Sequence, residues 1–221
     1  MQSEIRFKPS FAAVFLTLRP GDRVVAEADA MASMGKSVQM KTRFNGGFFR
    51  ALLRRFFGNE SLFVNEFTCA EGQESAPLVL TQPTPGDIIE LDLKGTSLFL
   101  QPGAFLACAA TVTLGLGWAG FRSWFNGEGL FRLKVSGEGK VWVGAYGGIS
   151  KRDVQGELKV DTGHLVAYEP TVRIQLALAG GIFSSFFGGE GFVSKMQGRG
   201  AIYIQSRSLD GLAAWTNAHI I

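Results

Sequence analysis

Short stretches of apolar or alternating residues recur along the chain, with turn residues between them. Clear examples are residues 88–93, 98–100, 130–135, 141–143 and 201–205. Gly and Pro mark the intervening turns at 85–87, 102–103, 136–139 and 197–200. Many short strands at this spacing are typical of a sandwich, barrel or prism, so the sequence predicts an all-β protein.

Three segments share one pattern, and this indicates an internal triplication. Residues 45–63, 117–131 and 180–193 each contain an aromatic pair, two small or polar residues, a glutamate, a small residue and an apolar pair. The second and third copies align again upstream at an offset of 60, where Thr111-Val112 matches Thr171-Val172. We predict one globular domain of three repeats, approximately 1–75, 76–147 and 148–221. The units would be β-sandwiches or prisms with short aromatic-rich arms in a pseudo-threefold arrangement.

One uncharged stretch, residues 95–121, is long enough to span a membrane as a helix. It contains Pro102 and several Gly and Thr residues, which do not favour such a helix. The matching stretches of the other two copies contain charges, among them Asp29 and Lys36 in the first and Glu169 in the third. The repeat therefore predicts a pair of strands here rather than a membrane span.

The aromatic segments form the candidate interaction surface. In the first segment the aromatic and leucine side chains recur at helical spacing, with arginines between them. One interpretation is packing on the segment's own unit or between subunits. The other is an exposed aromatic edge that enters a membrane interface or a partner's groove, with arginines against anionic headgroups, for which the basic first segment is the best candidate. The surface comprises Phe48, Phe49, Arg50, Arg54, Arg55, Phe56, Phe57, Trp118, Phe121, Trp124, Phe125, Phe183, Phe186 and Phe187.

The sequence contains no recognisable catalytic, cofactor or metal motif. Its two histidines are His164, which matches an alanine in the second copy, and His219 near the C-terminus, so a nucleophile with its base is not expected. Cys-x-x-Cys, His-x-x-x-His and Asp-x-Asp spacings do not occur, which disfavours zinc and calcium sites. The repeated glutamates Glu60, Glu128 and Glu190 lie in Gly- or Asn-rich turns, where solvated carboxylates are expected.

Composition and charge narrow the function classes. The 221 residues include 29 Gly and 19 Phe and are 46% hydrophobic, which excludes a disordered chain. The net charge is +3 and the densest basic cluster is the three arginines of the first segment, so nucleic acid is not an expected partner. Cys69 and Cys108 are expected to be reduced, buried thiols. The first residues show no signal or transit peptide, and we expect a cytoplasmic protein, with peripheral membrane association as an alternative.

Residues 24–34 resemble the Glu-x-Gly-Ala-Met-x-x-Met signature of the altered inheritance of mitochondria protein 24 family, and residues 126–131 and 188–192 resemble its Gly-Glu-Gly-apolar motifs. Asp29 stands where the signature has Gly at a tight turn. The resemblance implies a fold similar to the tryptophan RNA-binding attenuation protein, with triplicated β-sandwich units that often form homo-oligomers. The fungal members are tied to the mitochondrial inner membrane, and the family supplies no catalytic residues to map.

Together these features predict a non-catalytic binding or scaffold protein that forms a homo-oligomer and contacts a membrane surface or a protein partner. An RNA- or small-ligand-binding module is the alternative suggested by the attenuation protein. An enzyme that uses Glu60, Glu128 and Glu190 is the third choice.

Overall fold

The fold is built almost entirely from β-strands, as the sequence predicts. The computed structural model describes residues 1–44, 63–118, 131–178 and 192–220. A short 3₁₀ turn, Thr162–His164, and a C-terminal helix α1, Leu209–His219, complete the described elements. The strands are β1 Gln2–Arg6, β2 Ala13–Leu18, β3 Arg23–Glu27, β4 Met31–Met34, β5 Val38–Phe44, β6 Phe63–Cys69, β7 Ala76–Thr81, β8 Ile88–Leu100, β9 Phe105–Ala109, β10 Val112–Trp118, β11 Phe131–Gly144, β12 Ile149–Asp161, β13 Leu165–Tyr168, β14 Val172–Leu178 and β15 Phe192–Gln205.

The strands form two antiparallel sheets. The smaller has the order β1-β2-β7-β4. The larger has the order β12-β15-β13-β8-β11-β9-β3-β6-β5, with β10 paired to β11 and β14 paired to β15. The order shows that strands distant in sequence lie side by side, so long-range pairing shapes the molecule.

One pairing arrangement recurs along the chain in three groups of strands. In group 2 (β8–β11) the first three strands all pair with β11, and in group 3 (β12–β15) the first three all pair with β15. In group 1 (β2–β7) two shorter strands occupy the last place: β3 and β5 pair with β6, while β2 and β4 pair with β7. The short strands β4, β9 and β13 each show a register shift in their pairing with the last strand.

Adjacent groups are connected by a further strand pair, which we call a joint. At the first joint β9 pairs with β3, with Cys108 opposite Val25, and the Ala110 amide donates to the Arg23 carbonyl at 3.1 Å. At the second joint β13 pairs with β8, with Tyr168 opposite Phe99. The Gln101 amide donates to the Val166 carbonyl there at 2.9 Å. In both joints the short strand of one group extends the sheet of the preceding group.

The buried side chains of the described residues form three clusters. The first cluster joins group 1 to Leu106, Ala107 and Trp142 of group 2. The second is centred on group 2 and includes Val166 of group 3, and partly buried Phe99 of group 2 packs on the third. Each cluster therefore crosses a joint. Burial of a large apolar side chain stabilises the fold by about 1.5–3 kcal/mol, so the joints are hydrophobic as well as hydrogen-bonded.

The turns predicted at residues 136–139 and 197–200 are wrong, because β11 and β15 run straight through them. Gly137 and Gly198 adopt φ values of 115° and 127°. A Cβ at these positions would lie 3.0 Å and 2.4 Å from the carbonyl oxygens of Thr111 and Thr171. These glycines let β11 and β15 pass close to the turns at Thr111 and Thr171. Glycine at these positions therefore indicates a close approach of two backbones and not a chain reversal.

The uncharged stretch forms strands, as expected. Its described part, residues 95–118, comprises the end of β8 together with β9 and β10. Within the ranges that the structure describes, no helix has the length and apolar character needed to cross a membrane. Helix α1 was missed by the sequence analysis; the Ser208 hydroxyl caps it by accepting from the Gly211 amide at 3.3 Å.

Asp29 adopts the left-handed conformation that the family signature assigns to Gly. Its φ is 66°, in the turn where the Ala30 amide donates to the Glu27 carbonyl at 3.3 Å. The tight turn is therefore kept despite the substitution. Asp tolerates this conformation better than most residues, but it pays a steric cost that Gly avoids.

We therefore expect Asp29→Gly to raise the free energy of unfolding by about 0.5–1 kcal/mol and Asp29→Ala to lower it by about 1 kcal/mol, measured by urea denaturation. Glu74→Gly is the control, since Glu74 is exposed and does not have a positive φ. This control should lose stability. An Asp29→Gly protein less stable than the parent would contradict the interpretation.

Candidate interaction surface

Each aromatic segment connects the two strands of an antiparallel hairpin. The hairpins are β5–β6, β10–β11 and β14–β15, and their last described pairs are Phe44 with Phe63, Trp118 with Phe131, and Leu178 with Phe192. Five of these six residues are aromatic. The sequence pattern and the strand pairing thus agree on where each segment begins and ends.

Most of the predicted surface lies outside the described residues. Trp118 is described as the last residue of β10, in register with Phe131. Its partners in the prediction, and the glutamates of the repeat, lie in residues 45–62, 119–130 and 179–191 and stay predictions. These are Phe48, Phe49, Arg50, Arg54, Arg55, Phe56, Phe57, Phe121, Trp124, Phe125, Phe183, Phe186 and Phe187, with Glu60, Glu128 and Glu190.

Three of the four buried polar residues in the described structure lie on these hairpins, within three residues of the last described pair. These three are Glu66 on β6, Arg132 on β11 and Ser194 on β15. Buried polar groups are costly unless they are satisfied, so a buried group that has a partner restrains its neighbours. Glu66 and Arg132 have such partners, Arg43 and Tyr168 respectively.

The first hairpin is held by a charge pair across its strands. Glu66 is 6% exposed and its Oε1 accepts from the Arg43 guanidinium at 2.9 Å. Next to it the Thr42 hydroxyl donates to the Asn65 side-chain oxygen at 2.9 Å. A buried carboxylate needs such a partner, because removing one member of a buried pair leaves an uncompensated charge.

The second hairpin is tied to the second joint by Arg132. Its Nη1 donates to the Tyr168 hydroxyl at 2.9 Å, and the guanidinium lies 5.3 Å from the centre of the Tyr168 ring. Tyr168 in turn packs against Phe99, with ring centres 5.2 Å apart. Gly117 sits opposite Arg132, and a Cβ there would collide with the Phe99 ring. A movement of this hairpin would therefore disturb the joint between groups 2 and 3.

In the third hairpin the Ser194 hydroxyl is buried and has no hydrogen-bond partner in the described part of the chain. It lies on β15 opposite Leu176 of β14, two residues from where the described strand begins.

Two clefts lie beside the middle of the long strands. One, about 400 Å³, is lined by residues of β8 on both sides of Gly95 together with Glu169, Pro170, Thr171 and Tyr203. Burial raises the pKa of Tyr203, and the charges of Glu169 and Asp153 raise it further. The other, about 850 Å³, is lined by residues 153–156 and 198–200. The carboxylates at the first cleft do not favour a phosphate-bearing ligand there.

The histidines and cysteines occupy structural positions. His164 Nδ1 lies 2.8 Å from the Gln205 carbonyl, and the ring of His219 stacks on Trp215 with centres 4.6 Å apart. Cys108 is fully buried, which raises its pKa to about 12. Cys69 is free but partly exposed, so the expectation of two buried thiols holds for Cys108 alone. Over the described ranges, His, Cys, Asp and Glu do not gather into a group able to hold a metal ion.

A polar network joins β1 to group 2. Glu90 Oε1 lies 2.6 Å from Lys140 Nζ, and its Oε2 accepts from the Ser3 hydroxyl at 2.5 Å and from Trp142 Nε1 at 3.0 Å. Partial burial by itself raises the pKa of Glu90. The hydrogen bonds from Lys140 and Ser3 and the charge of Lys140 outweigh it, so the pKa lies below its usual value of 4.5. The network therefore stabilises the ionised carboxylate and holds the indole of the fully buried Trp142.

These features define a strand-rich protein with three long antiparallel hairpins, β5–β6, β10–β11 and β14–β15. The chain belongs to the family described as mitochondrial biogenesis AIM24, whose model matches residues 3–207. This confirms the resemblance found in the signature at residues 24–34. Helix α1 lies beyond the matched residues.

Two streptococcal proteins are similar to the chain. An uncharacterized protein of Streptococcus pyogenes serotype M6 is 28% identical over 212 residues, covering 92% of this chain and 84% of the relative. An X-ray crystal structure of a Streptococcus pyogenes protein superposes with a TM-score of 0.79 at 27% identity and covers 99% of both chains. A protein whose structure was determined by X-ray crystallography thus shares the fold over almost the whole length of both chains.

We expect Glu90→Gln to lower the free energy of unfolding at pH 7 by about 1 kcal/mol, because the pair with Lys140 is lost. The pKa of Glu90 is lower in the folded state, so this stabilisation is present above 4.5 and is lost as the pH falls through the folded value. Urea denaturation of parent and variant should therefore converge near the acid end of the accessible range.

Glu4→Gln is the matched control, since the Glu4–Arg6 pair is exposed on both sides and should contribute nothing measurable. A stability difference between the Glu90→Gln protein and the parent that is independent of pH would contradict the assignment.

Proposed function

We propose that this AIM24-family protein is a non-catalytic binding or scaffold protein that contacts a membrane surface or a protein partner through its three aromatic segments. The observation that carries the proposal is the position of each segment in the chain: it connects two paired strands that contain a buried polar residue near their last described pair. Paired strands hold the two ends of each segment in place. Three segments held in this way can contact one surface together.

We further propose that the three groups of strands are repeats of one unit, each with one aromatic arm. The recurring order of pairing supports this, and so does the register shift that β4, β9 and β13 have in common. Three arms on one chain would bind a surface in concert, and the effective concentration of the second and third arm would raise the overall affinity.

An anionic membrane surface is the partner that the chemistry of the first segment favours. Phe48, Phe49, Phe56 and Phe57 supply apolar area, and Arg50, Arg54 and Arg55 supply positive charge. Aromatic rings that enter the headgroup boundary and cations that meet anionic lipids are the two attractions that hold interfacial segments. In this proposal the protein is located in the cytoplasm and associates with the membrane from outside its core.

Vesicle flotation tests the proposal. The parent protein should float with vesicles that contain anionic lipid and should float less with neutral vesicles or at high salt. The double variant Phe56→Ser, Phe57→Ser should lose most of this binding, because it removes two apolar side chains beside the arginines.

Phe11→Ser is the matched control. Phe11 is 70% exposed and lies outside the aromatic segments, so its loss should leave flotation unchanged. Failure of the parent protein to float, or an equal loss in the control, would contradict membrane contact through the arms.

A further inference from the structure

We propose that the chain self-associates through a third joint, in which β4 of one copy extends the sheet of a second copy at the outer edge of its β12. This deepens the homo-oligomer expected from the sequence and rests on the repeat arrangement proposed above. It does not depend on membrane contact.

The two joints within the chain use the same residues of each group. At the first, Ala107 and Cys108 of β9 lie opposite Ala26 and Val25 of β3. At the second, Ala167 and Tyr168 of β13 lie opposite Leu100 and Phe99 at the end of β8. In each case the short strand of one group pairs with the end of the first long strand of the group before it.

Group 1 and group 3 contain the two halves of a third such joint. Ser33 and Met34 of β4 follow the register shift in the way that Ala107 and Cys108 do in β9. Leu100 pairs with Leu133, four residues before Gly137 on β11, and Val160 pairs with Ser194, four residues before Gly198 on β15. Val160 and Lys159 of β12 therefore correspond to Leu100 and Phe99. The register of the known joints thus places Ser33 opposite Val160 and Met34 opposite Lys159.

Both halves are open in the structure. Strand β4 pairs with β7 and β12 pairs with β15, and in the part of the chain that the structure describes neither has a strand on its other side. An open edge presents unpaired N–H and C=O groups that another strand can pair with.

Apolar side chains on the two open strands, β4 and β12, are exposed to solvent. Cys108 and Tyr168, which lie inside joints, are 0% and 6% exposed, whereas the corresponding Met34 is 43% exposed. On β12, Leu158 is 37% exposed. Two of the exposed large hydrophobic side chains therefore lie where the third joint would cover them.

The clefts beside the long strands differ in the same sense. At the second joint the turn at Glu169, Pro170 and Thr171 lines the cleft beside β8, which measures about 400 Å³. The cleft beside the matching part of β12 measures about 850 Å³ and has no turn from another group in its described lining. The turn that follows β4, residues 35–37, corresponds to that missing wall.

A second copy of the chain is the occupant that these observations favour. The β4 edge and the β12 edge fit each other by register, yet they are not paired with each other within the chain. A contact between two different surfaces of identical chains is heterologous and builds a closed ring or an open filament. The known joints supply the geometry that such a contact would repeat.

Disulfide cross-linking between separate variants tests the joint. In a Cys69→Ser background, Met34→Cys and Lys159→Cys proteins are prepared singly, mixed without vesicles and oxidised with copper-phenanthroline. Cys108 is fully buried and can be left in place. The mixture should give a covalent dimer of two 23.9 kDa chains on a non-reducing gel, at least tenfold above either variant alone.

A mixture of Lys41→Cys and Lys159→Cys is the control, since Lys41 is exposed on β5, a different edge of the sheet. It should give no more dimer than the single variants. Leu158→Lys, a change at an exposed side chain, should reduce the specific dimer by at least tenfold without loss of folding.

Two outcomes would overturn the proposal. The first is no specific dimer from the mixture. The second is a cross-link within one chain when Met34→Cys and Lys159→Cys are combined, seen as a faster-migrating monomer, because the third joint would then close internally. Either outcome can occur while the protein still floats with vesicles, so the joint and the proposed function fail separately.

Discussion

The structure depends on main-chain pairing between neighbouring groups of strands. At each joint a short strand of one group is hydrogen-bonded to the first long strand of the group before it, and the buried clusters pass across the same contact. Trp142 illustrates the dependence, because it belongs to group 2 but is buried in the cluster of group 1. Hydrogen bonding without this burial would be worth little in water, and burial without the pairing would leave backbone groups unsatisfied.

The second joint is also coupled to the hairpin β10–β11. The second hairpin is connected to its joint through Arg132, Tyr168 and Phe99, so its orientation is coupled to the contact between groups 2 and 3. The first hairpin has its own charge pair, in which exposed Arg43 meets the buried carboxylate of Glu66. Each of these two hairpins is therefore held by a side-chain contact of its own.

The all-β class of the fold can be predicted from the sequence, but the pairing of strands between groups cannot. Alternating apolar positions and the repeat in composition follow from local rules, and they predict the strands of residues 95–118 and the hairpin ends. Pairing of β13 with β8 joins residues almost 70 positions apart, and its register depends on which faces are buried, so local patterns do not reveal it. The glycines at 137 and 198 were misleading for the same reason, because the backbone they approach lies in a different strand connection.

Local deviations were harder still to predict. Helix α1 contains no buried residue, so it has no apolar stripe that would distinguish it from a loop. Cys69 lies at the end of β6 and is partly exposed, although its sequence context resembles that of a buried strand. Asp29 shows the opposite case: comparison with the family signature identified a position that needs a positive φ, and the residue there adopts it.

Amide hydrogen exchange across the two joints tests the central claim most directly. The Ala110 amide, bonded to the Arg23 carbonyl, and the Gln101 amide, bonded to the Val166 carbonyl, should exchange as slowly as amides in the centre of β11, through global unfolding. Exchange of these two amides at the rate of an exposed turn such as that at Gly72 would show that the groups separate freely, and would contradict the account.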